Sequence, residues 1–445
     1  MHFNLPVPAA GALRALEESG YQAYLVGGCV RDALLKRDIS DYDLASSALP
    51  EEAEAVFKGE RVLETGIKHG TVTVLLQGMP LEITSFRRES GYSDLRHPDK
   101  VIFTRSLEED LSRRDFTVNA MAYSPARGLV DLYDGVGDLD RRVIRCVGDP
   151  DRRFGEDALR ILRALRFASV LDFTLEKETA EAVHRNRELL KAVAAERIFT
   201  ELKKLLCGPG VKRILLDYPD VLGVFMPELL PMVGFDQRTK YHCYDVWAHT
   251  AETIAAVPPE PTDRLAALFH DSGKPGSFSL DEEGQGHFYG HPAESVKLAE
   301  KVLARLKADT ETKNAVLQAV EHHDLPLEPS ERSLRRALNR FGEEGLFRLL
   351  RLQRADNLAQ AAAYRGRQEE ITEMEAMARK LLEQDACVSL RQLAVGGREL
   401  LAEGFAPGPE MGAILDELLS EVLEGSISNE RESLIKRAKE MAGRR

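Results

Sequence analysis

The chain divides into an N-terminal part with strand-like patterning and a longer part with helical patterning. Before residue 140, apolar or alternating runs at residues 21–26, 42–44, 71–76, 81–86 and 130–133 are interspersed with short helical stretches. After residue 150 the strand pattern fades, and a helical periodicity rich in alanine, leucine, glutamate and arginine continues to the end. We therefore predict an α+β protein with a small β-sheet in its N-terminal head and all-α regions after it.

Proline and glycine mark breaks within the helical part. They occur at residues 207–210, 226–231, 258–259 and 281–286. A chain of 445 residues is too long for one hydrophobic core. We predict a head at residues 1–140, a helical neck at 141–235, a second helical module at 236–360 and a charged helical tail at 361–445.

Two aspartates in the head are the strongest candidates for chemistry. Asp41 and Asp43 follow the first strand-like run and the pair Gly27-Gly28. On a strand, residues i and i+2 point to the same side, so both carboxylates would lie on one face. Such a pair can hold two Mg²⁺ ions for phosphoryl transfer, while the glycines admit a triphosphate. The alternative is a turn with two solvated aspartates. Glu82 is a candidate third carboxylate or a simple solvent-facing acid.

A second candidate site lies at the start of the neck. Asp157 and Arg160 are three residues apart in a run that is predicted to be helical from Phe154, and Arg163 and Arg166 continue the stripe. An aspartate that accepts from an exocyclic amino group, beside an arginine that donates to a ring nitrogen, matches cytosine and adenine and rejects uracil and guanine. The alternative is an exposed salt bridge at a helix start.

The composition narrows the class of protein. No apolar run approaches the ~20 residues that a membrane span needs, and the N-terminus lacks a secretory pattern. Five single cysteines without a Cys-x-x-Cys pair fit a reducing cytosol, so we expect a cytoplasmic protein with no membrane partner. The net charge is −13, yet residues 141–166 contain eight arginines and four acidic residues. This local basic segment is compatible with a polyanion bound at one place.

Several motifs occur in order between residues 20 and 205. They are LVGGCVRD with DYDLA, SLEEDLSRRDFTVNAMA, FGEDALRILRALRF and AERIFTELKK. This order resembles the class II tRNA nucleotidyltransferase and poly(A) polymerase family. The resemblance implies a head of nucleotidyltransferase fold, a neck that binds nucleotide and RNA, and template-independent addition of CMP and AMP to tRNA from CTP and ATP. It implies Mg²⁺ at Asp41 and Asp43, and it implies nucleotide contacts from Gly28, Arg31, Arg114, Asp157, Arg160, Arg163 and Arg166.

Alternatives within this family stay open. In the family, a loop between the strand motif and RRDFT helps to switch from CTP to ATP addition, and CC-only enzymes have it shortened. Residues 88–98 look like an intact loop, which favours full CCA addition. Poly(A) polymerases share the same motifs, so a poly(A) polymerase, a CC-adding enzyme or an A-adding enzyme is the alternative.

The second helical module contains a separate set of histidines and aspartates. The set consists of His249, His270, Asp271, His291, the pair His322-His323 and Asp356. The predicted ligands are His249, His270, Asp271 and Asp356, with His291 and His322 as further candidates. The run LFHDSGKP resembles the HD phosphohydrolase superfamily, which implies a divalent metal of unknown identity. Ligands of this type without thiolate suit Mn²⁺, Ni²⁺, Fe²⁺, Mg²⁺ or Zn²⁺. The alternative is a scatter of structural histidines. If metal binds, a phosphodiesterase or phosphatase is the alternative main function, and both activities can coexist.

Overall fold

The computed structural model describes residues 3–66, 70–91, 100–241, 243–384 and 386–442. The chain divides into two compact units, which are Met1–Leu230 and Pro231–Arg445. The finer division into four regions stays a prediction. The first unit combines a sheet with helices and the second is mostly helical, so the predicted α+β class is confirmed.

A mixed β-sheet forms the centre of the first unit. The strands of this unit's head are β1 (Ala23–Val26), β2 (Asp43–Ser46), β3 (Arg61–Gly66), β4 (Thr71–Leu76), β5 (Met79–Ser85), β6 (Arg87–Ser90), β7 (Lys100–Phe103), β8 (Met121–Ser124) and β9 (Gly128–Asp131). Within the described residues, the sheet order is β3-β4-β5-β2-β1-β8-β9, and β6 pairs with β7 separately. The neighbours β2 and β5 run parallel, whereas the other pairs of this sheet are antiparallel.

Helices flank the sheet and continue after it. They are α1 (Val7–Glu18), α2 (Gly28–Leu34), α3 (Pro50–Val56), α4 (Leu107–Ser112), α5 (Gly135–Arg141), α6 (Pro150–Glu156), α7 (Leu159–Leu171), α8 (Lys177–Asn186), α9 (Ala195–Leu206), α10 (Val211–Asp217) and α11 (Pro219–Leu222). The two-residue strands β10 (Val143–Ile144) and β11 (Thr174–Leu175) form a parallel pair within this otherwise helical region. Because α7 carries apolar residues on most of its surface, it is the buried central helix against which α9 packs.

The predicted single helix from Phe154 is wrong at its start. Helix α6 ends at Glu156, and Asp157 has an extended backbone with φ −137° and ψ 105° before α7 begins. The Asp157 carboxylate accepts a hydrogen bond from the backbone N–H of Leu159 at 3.1 Å. A short aspartate side chain can satisfy such an amide outside a helix, so it competes with helix continuation and favours a break.

The second unit is built from helices and one small hairpin. Its elements are α12 (Val246–Ala256), α13 (Pro261–Phe269), β12 (Ser279–Leu280), β13 (Gly286–His287), α14 (His291–Arg305), α15 (Thr310–His322), α16 (Glu331–Ala359), α17 (Gln368–Glu383), α18 (Gly397–Ala402), α19 (Pro409–Leu423) and α20 (Arg431–Ala442). Helix α16 bends at Gly342, whose φ of 70° is left-handed. No helix in the described part of the chain is long and apolar enough to cross a membrane.

All five cysteines are free thiols. Cys29, Cys146 and Cys387 are buried, Cys207 is half-buried and Cys243 is exposed. Burial raises the pKa of the Cys29 thiol to about 11 and that of the Cys146 thiol to about 12. The buried thiols are therefore protonated and serve as small apolar groups of the core.

Candidate active site and metal centre

Three carboxylates lie together at one side of the sheet in the first unit. The parallel register of β2 with β5 sets Asp43 opposite Glu82. Asp41 lies two residues before β2 rather than on it, and its carboxylate accepts a hydrogen bond from Ser40 at 2.9 Å. The pKa of the Asp43 carboxyl is raised because surrounding atoms reduce its hydration and because Glu82 and Asp41 add negative charge, although Arg114 opposes this. Oxygen-rich, negatively charged groups of this kind suit a hard divalent cation.

A glycine turn follows the end of β1, which pairs with the strand that begins at Asp43. Gly27 has a left-handed φ of 74°, its N–H donates to the carbonyl oxygen of Met121 at 3.3 Å, and α2 begins at Gly28. A Cβ atom at Gly27 would lie 3.0 Å from the Arg114 guanidinium. Only glycine therefore combines this backbone conformation with the close approach of Arg114.

Arg114 and its neighbour Arg113 are held by one fully buried carboxylate. Asp110 accepts from Arg113 at 2.8 and 3.0 Å and from Arg114 at 3.3 Å. Burial by itself disfavours the charged form of Asp110, but the two arginines outweigh it and hold the pKa of this carboxyl below its usual value. The anion fixes Arg114 beside the glycine turn.

The side chains of Arg160 and Asp157 do not form an ion pair with each other, although the backbone N–H of Arg160 donates to the Asp157 carbonyl oxygen at 2.9 Å. Arg160 donates to the Glu156 carboxylate at 2.8 Å and to the backbone carbonyl of Arg113 at 3.1 Å. Asp157 instead accepts from Arg197 of α9 at 3.1 Å. The exposed salt bridge weighed as the alternative is thus not formed, because the break before α7 takes Asp157 out of the helical face that carries Arg160.

Arg163 is linked to Arg31 through two buried side chains. Asp115 accepts from Arg163 at 2.5 and 3.0 Å and from the Asn119 amide at 3.1 Å, while the Asn119 carbonyl oxygen accepts from Arg31 at 2.7 Å. Burial disfavours ionisation of Asp115, but the guanidinium of Arg163 outweighs this effect and holds the pKa of the carboxyl well below its usual range. Arg31 and Arg163 are therefore fixed relative to each other.

Phe167 and Glu201 complete this basic cluster, and neither was predicted as a site residue. The guanidinium carbons of Arg31, Arg163 and Arg166 lie 5.2, 5.4 and 3.8 Å from the centre of the Phe167 ring. Glu201 of α9 pairs with Arg166 at 2.7 Å. Burial lowers the pKa of Arg166 to about 10. The signal in the sequence was the placement of Phe167 four residues after Arg163, on one helical face.

A second cluster lies in the other unit and brings together the predicted set His249, His270, Asp271 and Asp356. One ligand atom from each lies within 4.8 Å of the others. His249 Nε2 is 2.8 Å from Asp356 and 3.4 Å from Asp271, and His270 Nε2 is 3.3 Å from Asp271. These four come from α12, the end of α13 and α16. Two imidazole nitrogens and two carboxylates are a donor set that can hold a divalent metal.

A second ligand group shares Asp271 with the first. Asp271 Oδ1 lies 3.3 Å from His291 Nε2 and 3.6 Å from His323 Nε2. His322, predicted as a further candidate, lies elsewhere, because adjacent helical residues point about 100° apart. Its Nδ1 is 3.0 Å from the carbonyl oxygen of Gln318, and its ring lies 5.0 Å from that of Phe341. The prediction of His322 is therefore corrected to His323.

Backbone carbonyl groups orient three of these imidazole rings. Nδ1 of His270, His291 and His323 lies 2.7, 3.0 and 2.7 Å from the carbonyl oxygens of Ala267, Phe288 and Val320, respectively. A ring that donates its Nδ1–H to a carbonyl directs the lone pair of Nε2 towards the other side, as metal-ligating histidines do. His270 Nε2 is buried without a hydrogen bond of good geometry among the described residues.

A buried lysine adds positive charge to this cluster. Lys274 Nζ lies 2.6 Å from Asp271 and donates to the Gln237 side chain at 3.0 Å. Burial lowers the pKa of His270, but Asp271 and Asp356 outweigh it and raise this pKa to about 10. The Asp271 carboxyl has a pKa well below its usual value, because His270 and Lys274 outweigh the effect of burial. The cluster thus has a strong affinity for positive charge.

Three protein families match separate parts of the chain. Residues 23–145 match the poly A polymerase head domain, and residues 172–232 match the probable RNA and SrmB-binding site of polymerase A. Residues 293–438 match domain 2 of tRNA nucleotidyltransferases. The first match covers the head carboxylates, and the second overlaps the end of the region that carries the sequence motifs. The third lies beyond those motifs, in the second helical module and the tail.

Curated relatives and solved structures cover nearly the whole chain. The CCA-adding enzyme of Levilactobacillus brevis is 37% identical, with 96% of each chain covered. That of Limosilactobacillus reuteri is 35% identical over 98% of this chain and 96% of the relative. The crystal structure of the Bacillus stearothermophilus CCA-adding enzyme in complex with CTP is 29% identical, with a TM-score of 0.73 and coverage of 99% and 98%.

Proposed function

The chain belongs to the family of CCA-adding enzymes, and on this basis we propose that it is a template-independent tRNA nucleotidyltransferase that adds CMP and AMP to tRNA 3′ ends. Its nucleotide substrates are CTP and ATP. The observation that carries the proposal is the register of β2 with β5, which sets Asp43 opposite Glu82 next to the Gly27 turn. Nucleotide addition, and not phosphoester hydrolysis, is therefore the main function that we propose.

Asp41, Asp43 and Glu82 are the proposed catalytic carboxylates. Their oxygen ligands and the raised pKa of Asp43 fit Mg²⁺, because a bound cation relieves the repulsion among three acids. When bound, the ions activate the terminal 3′-hydroxyl and stabilise charge on the transferred phosphoryl group. The hydroxyl attacks the α-phosphorus of the nucleoside triphosphate, a new phosphodiester bond forms, and pyrophosphate leaves.

The proposed nucleotide-binding residues are Gly28, Arg31, Arg114, Asp157, Arg160, Arg163 and Arg166, and Arg114 acts on the charge of Asp43. Arg114 lies against the glycine turn, where a triphosphate can approach Gly28 without a side chain in the way. Arg31 and Arg163 are fixed by Asn119 and Asp115, so they offer charge without first losing side-chain freedom.

Base selection is proposed for Asp157 and Arg160, and a further nucleotide contact is proposed for Arg166 of the basic cluster. The carboxylate accepts from the exocyclic amino group of cytosine or adenine, and the guanidinium donates to the adjacent ring nitrogen. Because both residues have protein partners, Arg197 and Glu156, base binding requires part of these contacts to be exchanged.

The extent of addition is tested with two substrates, a tRNA that ends before CCA and one that ends after CC. Each is supplied with one labelled nucleoside triphosphate at a time. Incorporation of two CMP and one AMP in order supports complete CCA addition. Long A tracts on both substrates would favour a poly(A) polymerase, and CMP or AMP alone a CC-adding or A-adding enzyme. The loop that bears on this choice was predicted at residues 88–98, and residues 92–98 of it lie outside the described residues.

A metal-dependent phosphodiesterase or phosphatase activity is proposed as a second function, in the second unit. The observation that favours it is the sharing of Asp271 between two ligand groups, one with His249, His270 and Asp356 and the other with His291 and His323. Metal held at such a site supplies an activated water and a Lewis acid for a phosphate oxygen. A mixed set of imidazole and carboxylate ligands suits Mn²⁺, Fe²⁺, Ni²⁺ or Zn²⁺ better than it suits a metal ion that prefers oxygen ligands alone.

A further inference from the structure

An aromatic pair, His287 at the end of β13 and Tyr289 two residues after it, lines the cavity that adjoins the metal cluster. The side chain of Tyr289 is 79% exposed. Its ring lies parallel to that of His287, with 5.3 Å between the ring centres and 5° between the planes. His287 in turn is held by Asp281, with 2.8 Å between Nε2 and the carboxylate. The outer face of Tyr289 is therefore a preorganised planar surface that no other described aromatic ring covers.

This cavity connects the aromatic pair with the proposed metal ligands. It has a volume of about 310 Å³, and its lining includes the ligands Asp271, His291 and Asp356 together with His287 and Tyr289. Small-molecule pockets start at about 300 Å³, so the space accommodates a ligand of nucleotide size. Lys274 also lines it, which adds a cationic group for a phosphate.

We propose that Tyr289, backed by His287, is a stacking platform for a nucleobase, and that the ligand of the second unit is a nucleoside phosphoester with its phosphate at the metal cluster. The inference deepens the phosphohydrolase activity proposed above and rests on it. Any base has a flat face that stacks on an aromatic ring, so Tyr289 distinguishes a nucleotide from a phosphoester without a base, and does not distinguish one base from another. Tyr289 is thus a specificity residue that does not touch the reacting phosphorus.

The same chemistry can come from a free nucleotide or from the 3′ end of an RNA. In both, an unpaired base is free to stack while the terminal phosphate reaches the metal. Two probes separate these sources: adenosine 2′-monophosphate, and a short single-stranded RNA with a 3′-terminal phosphate. Ribose 5-phosphate, which lacks a base, is the reference ligand.

The test compares the Mn²⁺-loaded protein with Tyr289→Ala and Tyr289→Phe by calorimetric binding of the three ligands. Nucleotide binding to the head of the first unit is common to all variants, so differences between variants isolate the cavity. Tyr289→Ala should weaken binding of the base-containing probe roughly 5- to 100-fold, the range for one base–aromatic stack. It should leave ribose 5-phosphate unchanged, and Tyr289→Phe should bind like the wild type because the ring is retained.

Several results would overturn the inference. Equal weakening for ribose 5-phosphate would mean that Tyr289 supports the cavity wall, and a loss with Tyr289→Phe would mean that its hydroxyl group acts instead of its ring. Unchanged nucleotide binding in Tyr289→Ala, with metal bound and phosphoesters still hydrolysed, would reject the platform while leaving the phosphohydrolase proposal intact. If the wild type bound no metal, both the stacking platform and the phosphohydrolase activity would be contradicted. Binding of only one of the two base-containing probes identifies the source.

Discussion

At the scale of single residues, buried anions hold the arginines of the candidate active site. Asp110 and Asp115 each bind guanidinium groups that the sequence alone presents as separate basic residues. An arginine that is already oriented loses less freedom when it binds phosphate, so the acids behind it contribute to the site without touching the nucleotide. Each of these arginines has a carboxylate beside it, which reduces the repulsion among the guanidinium groups. A cluster of arginines can therefore form within a chain whose net charge is negative.

The Asp115–Arg163 pair makes stability dependent on pH. The folded-state pKa of Asp115 lies below its unfolded value, so its stabilisation is complete above the unfolded pKa of about 4 and is lost as the pH falls further. Asp115→Asn should lower the free energy of unfolding at pH 7 by about 3 kcal/mol, the low end for a broken buried pair because Arg163 keeps some water. Urea unfolding at pH 7, 5 and 3.5 measures this difference.

The difference between wild type and Asp115→Asn should shrink at the lowest pH, because there the Asp115 carboxylate of the unfolded wild type takes up a proton while the folded one stays ionised. The exposed Asp140→Asn is the matched control and should change stability little at any of the three pH values. A difference that stays constant from pH 7 to 3.5 would show that Asp115 acts through its shape and not through its charge.

Asp43→Asn separates catalysis from stability. Because Asp43 has a raised pKa, its ionised form is disfavoured in the fold, and removal of that charge should leave Tm unchanged or raise it in metal-free protein. Addition of labelled CMP to tRNA should fall by several orders of magnitude, since a ligand of the proposed ions is lost. Asp38→Asn, an exposed aspartate of the same loop, should keep the activity. Near wild-type turnover in Asp43→Asn would show that Asp43 is not a catalytic residue.

At the scale of elements, the break between α6 and α7 is what the sequence pattern did not predict. Glu156 and Asp157 look like the acidic first turn of one helix, but Asp157 caps α7 from outside. The sequence pattern is helical on both sides of this break, so the break is not visible in it. A single extended residue shifts the helical repeat by a small step and leaves the composition of the segment helical. By contrast, β4 was predicted at its observed bounds, because threonine and valine alternate over its first four residues and two leucines complete the apolar run.

Several strands of the head escaped prediction, and β8 shows one physical cause. Strand β8 is buried at every position, so it lacks the alternation of a half-exposed strand. The pairing of Asp43 with Glu82 was also out of reach, since register across parallel strands depends on non-local contacts. Candidate residues in the site could be listed from motifs, whereas their partners, such as Arg197 for Asp157, required the fold.

The α6–α7 junction carries a prediction on base choice. Arg160→Ala should reduce the preference for CTP and ATP over UTP and GTP by about 1–3 kcal/mol, because one of two hydrogen bonds to the base is lost. The measurement is kcat/KM for each of the four triphosphates, with Tm as a check on folding. Arg152→Ala removes an exposed arginine that pairs with the same Glu156, so it is the control and should keep the selectivity. Full selectivity in Arg160→Ala, with a lower Tm, would make this helix a structural brace.

At the scale of the whole molecule, two candidate sites lie in two separate units. The head carboxylates belong to residues 1–230, and the histidine cluster belongs to residues 231–445. Each set has its own ligands, so the two proposed chemistries should respond independently to mutation. The presence of a second site after the first could be predicted from the motifs, since His249, His270, Asp271 and Asp356 occur in order. Which of His322 and His323 points into the cluster depends on the rotation of the helix, which only the structure gives.

Trp247 allows metal binding to be read in the intact protein. It is the chain's one tryptophan, and it lies two residues before His249 on α12. Added Mn²⁺ should quench its fluorescence in the wild type and in the control His322→Ala. The double variant His270→Ala with Asp271→Ala should lose the quenching and phosphoester hydrolysis, yet add CMP and AMP to tRNA at the wild-type rate. If the wild type takes up no divalent ion, the cluster is only part of the helical body.

The distribution of thiols has a practical consequence for experiments on single molecules. Maleimide reagents attack the thiolate, and the raised pKa values of Cys29 and Cys146 keep those thiols protonated at pH 7.5 as well as covered. Cys243, the exposed thiol, should therefore take up a dye first, with half-buried Cys207 slower. The natural sequence thus provides a labelling position in the unit that holds the histidine cluster, and no engineered cysteine is needed to attach a fluorophore there.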